Sequence, residues 1–136
     1  MNNQSDDPLD EIFVDENEPA DKKILVEILK PFATIDSKGI IAYTDLYYNL
    51  KESKKALIYI LCRKAMILKN IPGIVEKGNV KDVASGAGIN ESNAKNALFT
   101  FYKGIVQGGM IPNHQLRKVK EIIFQKDKKE GDGDGV

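Results

Sequence analysis

Apolar residues recur at helical spacing at Ile24, Leu25, Ile28, Leu29 and Phe32, downstream of Pro19 and Asp21. The pattern predicts a first amphipathic helix, which Pro31 should end. The next stretch, TIDSKGIIAYTDLYYNL, has turn formers from Ser37 to Gly39, a β-prone run from Ile40 to Tyr43, and a short helical turn beginning at Thr44. Beyond it, Leu57, Ile58, Ile60, Leu61, Ala65, Leu68 and Ile71 make a helix apolar over most of its circumference, which belongs at the centre of a core. Ser53 is expected to cap that helix, and the pair Pro72 and Gly73 to stop it.

The pattern from Asn79 to Asn113, NVKDVASGAGINESNAKNALFTFYKGIVQGGMIPN, is the most informative. Asn79 should cap a short helix, with Asp82 reaching back in the manner of a capping box. Val83 and Ala84 face inward, Gly86 and Gly88 allow a sharp turn, and Ile89 plugs the corner. Asn90 then caps a second helix with Ala94, Ala97, Leu98 and Phe101 on one stripe. A small residue at Ala84 lets the two helices cross closely, and Gly88 four residues later supplies the positive φ of the turn. Ile105 to Gln107, then Gly108 and Gly109, then Met110 and Ile111 look like a short β-hairpin. After Pro112, Asn113 should cap a last helix with Leu116, Val119, Ile122, Ile123 and Phe124 on its apolar side and Arg117, Lys118 and Lys120 on its basic side.

This pattern resembles the helix-turn-helix superfamily of DNA-binding regulators over 35 of the 136 residues. The resemblance implies a mainly α, winged helix-turn-helix fold with a short β-hairpin wing and extra N- and C-terminal helices. Val80 to Gly86 becomes the supporting helix and Glu91 to Lys103 the recognition helix of the major groove. The sequence departs from the usual pattern at Ala94 and Ala97, where a larger aliphatic is commoner. Opposite the apolar stripe lie Ser92, Asn96 and Lys103, flanked by Lys95, Asn93 and Thr100. Asn suits adenine, Ser suits base edges or phosphate, and lysines suit the phosphate backbone. With His114, Arg117 and Lys118 near the last helix, these are the candidate DNA contacts.

Charge supports a phosphate-rich partner. The formal net charge of zero conceals eight acids and no Lys or Arg in residues 1–21, while residues 22–124 hold 17 basic and 8 acidic residues, a balance of +9. Residues 1–20 are expected to be a disordered acidic tail, 21–124 the folded domain, and 125–136 a flexible end. The island Leu9, Ile12, Phe13 and Val14 is open to three readings: a docking motif, a competitor for DNA on the basic face, or part of a plain solubilising tail.

An enzyme is not expected: His114 and Cys62 are the lone histidine and cysteine, they fall on different elements, and Cys62 sits in the most apolar helix as an inert thiol. GAG at Gly86 to Gly88 lacks the spacing of a phosphate loop, and Asp132 and Asp134 lack the closing acid of a calcium loop. No cofactor, metal or membrane partner is expected. The longest apolar region, Ala56 to Leu68, is interrupted by Arg63 and Lys64, and the amino end lacks a secretory pattern, so the chain is read as cytoplasmic. The function expected is duplex DNA binding, as a transcriptional regulator or a plasmid or virus accessory factor; the last helix is open to packing on the core, to forming a homodimer as the winged-helix resemblance implies, or to both. The alternative is a winged-helix protein-interaction module acting through Phe99 or the acidic tail. It is motivated by the exposed side expected for Phe99, by Glu91 and by the apolar island.

Overall fold

The computed structural model describes residues 22–75 and 78–125, so the expectations for residues 1–20 and 126–136 lie outside the described residues. The described chain is mainly α with one two-stranded antiparallel hairpin. Helix α1 (Lys22–Leu29) buries Ile24, Leu25, Ile28 and Leu29 on one face. The Lys30 amide closes its last turn on Val26 O at 2.9 Å, and Pro31 has no amide with which to continue it.

Strand β1 (Ala33–Ile35) then pairs with β2 (Ile41–Tyr43) in the register Ala33 to Tyr43, Thr34 to Ala42 and Ile35 to Ile41. The loop closes locally, because the Asp36 carboxylate accepts from the amides of Lys38 at 2.8 Å and Ile40 at 3.0 Å. Those donors, Ile40 foremost, hold the exposed carboxyl below its ordinary value. Helix α2 (Asp45–Tyr48) is capped by Thr44, whose hydroxyl accepts from the Tyr47 amide and donates to Pro31 O at 2.8 Å.

Helix α3 (Glu52–Leu68) is the axis of the core, and its residues from Ala56 to Cys62 are all buried. All-round burial follows from contact with α1, β1, α4, α5 and α6. Ser53 does not cap it: the cap position is Lys51, which makes no side-chain cap bond, and the Ser53 hydroxyl instead accepts from Tyr102. Its stop comes before Pro72. Asn70 takes a left-handed φ of 59°, with Asn70 N bonding Ile67 O at 2.9 Å and Ile71 N bonding Met66 O at 3.1 Å. That is the double bond of a Schellman end, which Asn tolerates better than most residues.

Helices α4 (Val80–Ala87) and α5 (Glu91–Asn96) follow, and α5 continues into a π turn (Ala97–Phe101). A 3₁₀ turn (Asn113–Gln115) leads into α6 (Leu116–Phe124), so Asn113 starts the 3₁₀ turn and Pro112, with no side-chain bond, stands at the cap. Helix α6 lays Leu116, Val119 and Ile123 on α1 and α3. Lys120 pairs with Glu27 at 2.7 Å, Phe124 stacks on Phe32 with ring centroids 5.8 Å apart, and Lys54 donates to Gln125 O at 3.0 Å beyond its C-terminal end.

The hairpin expected at Ile105 to Ile111 is reduced to a single antiparallel bridge, Gln107 with Met110, closed by Gly108 and Gly109. Ile105, Val106 and Ile111 are all buried instead of alternating. Their apolar surface is satisfied by the core, so the flanks do not extend into a two-stranded ribbon. The sheet of this chain is formed by β1 and β2 alone among the described residues.

Candidate functional site

The pair α4 and α5 is held by local caps at both starts. Asn79 Oδ1 accepts from the Asp82 amide at 2.8 Å, and Asn90 Oδ1 accepts from the Asn93 amide at 2.7 Å. Between them Gly88 adopts φ 75° and ψ 38°, and its amide and that of Ile89 both bond Ala84 O, at 2.9 and 3.0 Å. Ile89 is buried at the corner. Gly86 has a different role from the turn foreseen for it. It lies inside α4, where a Cβ would stand 2.0 Å from Tyr59 Cε1, so its absent side chain lets α4 rest directly on the Tyr59 ring of α3.

Two tyrosines from the preceding elements close the C-terminal end of α4. Tyr43 OH donates to Gly86 O at 2.8 Å and Tyr47 OH donates to Ala87 O. Their rings stack at 3.7 Å with an 8° interplanar angle. The last carbonyls of a helix have no partner within it, and here the hairpin and α2 supply them. Burial, the leading cause for both, pushes each phenol well above its ordinary ionisation range, so both remain donors. These positioning residues were missed because nothing local in the sequence links Tyr43 or Tyr47 to a carbonyl 40 residues away.

On α5 the inward stripe of Ala94, Ala97 and Leu98 is buried. Phe101, placed on that stripe by α-helical spacing, is 62% exposed. The π turn is the reason: Tyr102 N bonds Ala97 O, five residues back, at 3.1 Å. The wider turn shifts the inward position by one residue, so Tyr102 is half-buried and donates to Ser53 Oγ at 3.2 Å while Phe101 swings out. The helical segment accordingly ends at Phe101 and not at Lys103.

Ser92, Lys95, Asn96, Thr100 and Lys103 are exposed, and Ser92, Lys95 and Asn96 lie within one turn of each other. Asn93 is half-buried, and its amide donates to the Glu52 carboxylate at the start of α3, so it ties the two helices together. Glu91 is exposed in the first turn of α5, where its charge suits the helix dipole. His114, Arg117 and Lys118 are exposed on the 3₁₀ turn and α6. Gln115 Nε2 donates to Gly104 O at 3.3 Å, which brings this second basic group beside the segment that follows the π turn. Lys81, exposed in the first turn of α4, was not among the residues foreseen. Its position two residues after the Asn79 cap is the signal that marks it.

Cys62 is fully buried, and burial pushes its thiol up to about 12, which suppresses the thiolate. Among the described residues, no helix is long and apolar enough to cross a membrane, and no group of three His, Cys, Asp or Glu side chains could hold a metal ion. No family model, curated protein or solved structure matches this chain.

Proposed function

We propose that this chain is a winged helix-turn-helix DNA-binding protein, with α4 as the supporting helix, α5 and its π turn as the recognition helix, and the Gln107–Met110 turn as a reduced wing. The observation that carries the reading is the two-sided character of α5. Ala94, Ala97 and Leu98 are buried in the core, while Ser92, Lys95 and Asn96 face outward within one turn. Ser92 and Asn96 present the chemistry of base edges, and Lys95, Lys103, Arg117 and Lys118 that of phosphate contacts. The balance of +9 over residues 22–124 supports the same partner. A transcriptional regulator or a plasmid or virus accessory factor fits such a module. In a homodimer through α6, the outer side of that helix would carry the contact, since Leu116, Val119 and Ile123 already pack on α1 and α3.

One observation favours a second reading, a protein-interaction module. Phe99 and Phe101 are 61% and 62% exposed, and large exposed aromatics mark protein contacts. Fluorescence anisotropy of the full chain on duplex DNA separates the two. Four phosphate contacts give a salt slope of roughly −3.6, an affinity loss of about 150-fold between 50 and 200 mM salt. Lys103→Ala should lower that slope by about one and weaken all sequences alike, whereas Asn96→Ala should relax preference within a selected site. Absence of salt-sensitive binding would refute the DNA reading, and two variants indistinguishable from the parent would refute this choice of recognition helix.

A further inference from the structure

A groove of about 300 Å³ runs between α1 and the end of α3, with Leu25, Val26, Leu29 and Leu68 as its floor and Lys22, Lys30 and Lys69 around its rim. Val26 is 57% exposed there, while the other apolar residues of α1 are buried. An apolar trough ringed by cations fits an occupant with apolar side chains set among carboxylates, and its volume is at the lower end for ligand pockets, roughly 300 to 1,000 Å³.

We infer that this groove is the docking site, within the same chain, of residues 9–14. Leu9, Ile12, Phe13 and Val14 supply the apolar side chains, and Asp10 and Glu11 the carboxylates that meet the lysine rim. Residues 1–21 hold eight acids and no Lys or Arg, so the charge of the segment is opposite to that of the rim lysines. The tether puts this groove within reach. Residues 15–21 join Val14 to Lys22, itself on the rim, and seven extended residues span at most about 25 Å. A linker of that length holds the segment at an effective concentration on the order of millimolar, so even a weak intrinsic affinity fills the groove. Docking covers Val26 and lays carboxylates against the basic body, which reduces the field met by any phosphate-rich partner. The inference does not depend on what that partner is.

The test uses the full chain with Phe13→p-benzoylphenylalanine, irradiated and mapped by peptide mass spectrometry. Cross-links within one chain to residues 22–33 and 65–69 are expected. Val26→Glu in the same chain should lower their yield at least fivefold. Val26 is exposed, so this variant should keep the parent's melting temperature. In parallel, the backbone amide resonances of Leu25 to Lys30 should shift when Phe13→Ser is introduced into the otherwise unaltered chain. Cross-links only between chains would assign the groove to a second copy and overturn the inference. Cross-links confined to α5 and the π turn, a yield indifferent to Val26→Glu, or unmoved amides would overturn it equally.

Discussion

Substituting Gly86→Ala sets two forces of opposite sign against each other. Helix propensity favours alanine inside α4 by about 1 kcal/mol, because glycine loses more backbone freedom on folding. Tertiary contact opposes it: the new Cβ would lie 2.0, 2.2 and 2.6 Å from Cε1, Cζ and Cδ1 of Tyr59. The ring has little freedom to withdraw. Arg63 stands 5.5 Å from its centroid and donates to its hydroxyl, and the same guanidinium is anchored on Val75 O. The helix must therefore retreat from α3, and overpacking of this kind costs about 1–3 kcal/mol, with three ring atoms in conflict placing it in the upper half. The net expectation is a destabilisation of about 1–2 kcal/mol, which for a domain of this size lowers the melting temperature by roughly 5–15 °C. Thermal unfolding followed by circular dichroism measures it. Tyr59→Leu combined with Gly86→Ala should be less harmful than the sum of the two changes by about 1 kcal/mol, because the smaller side chain vacates the contested space. A Gly86→Ala protein that melts at or above the parent would refute the argument, leaving helix propensity as the larger effect.

Two further predictions concern the elements that carry the site. Tyr43, Tyr47 and Cys62 all have folded-state ionisation raised by burial, Cys62 from 9.0 to about 12, so the stability they contribute is intact below pH 9 and is lost as pH rises above the unfolded values. Each group should steepen the loss by about 1.4 kcal/mol per pH unit in its window, and Tyr47→Phe should flatten the slope above pH 10 while costing about 1–3 kcal/mol at neutral pH through the orphaned Ala87 carbonyl. Denaturant titrations from pH 7 to 11 check this, and stability that does not fall above pH 9 contradicts it. On α5, Leu98→Ala should cost about 2–5 kcal/mol. Phe101→Ser should stay within about 0.5 kcal/mol of the parent, and the reverse ordering would mean that the π turn is misplaced.

Features set within a turn or two of chain were legible in the sequence. Asn79 and Asn90 cap helices because a side-chain oxygen reaches the amide three residues on, whereas Ser53, read the same way, is engaged by the distant Tyr102 instead. Gly88 takes its left-handed conformation for an equally local reason, and the all-round apolar pattern of α3 placed it at the core axis. The buried side of α5 was legible as far as Leu98, and with it the exposure of Ser92, Lys95 and Asn96.

What followed from distant contacts was not legible. The β1 partner of β2 comes from residues with no alternating pattern of their own, and pairing depends on the whole register. Gly86 read as a turn residue until the Tyr59 ring lay against it, and Asn93 read as a base contact until Glu52 came within reach. The π turn obeys the same logic: Tyr102 gains a hydrogen bond to Ser53 on α3, and a single residue of extra winding moves Phe101 from the core to the surface. A helical period computed along the chain assumes uniform winding, and only packing against α3 shows where that winding changes.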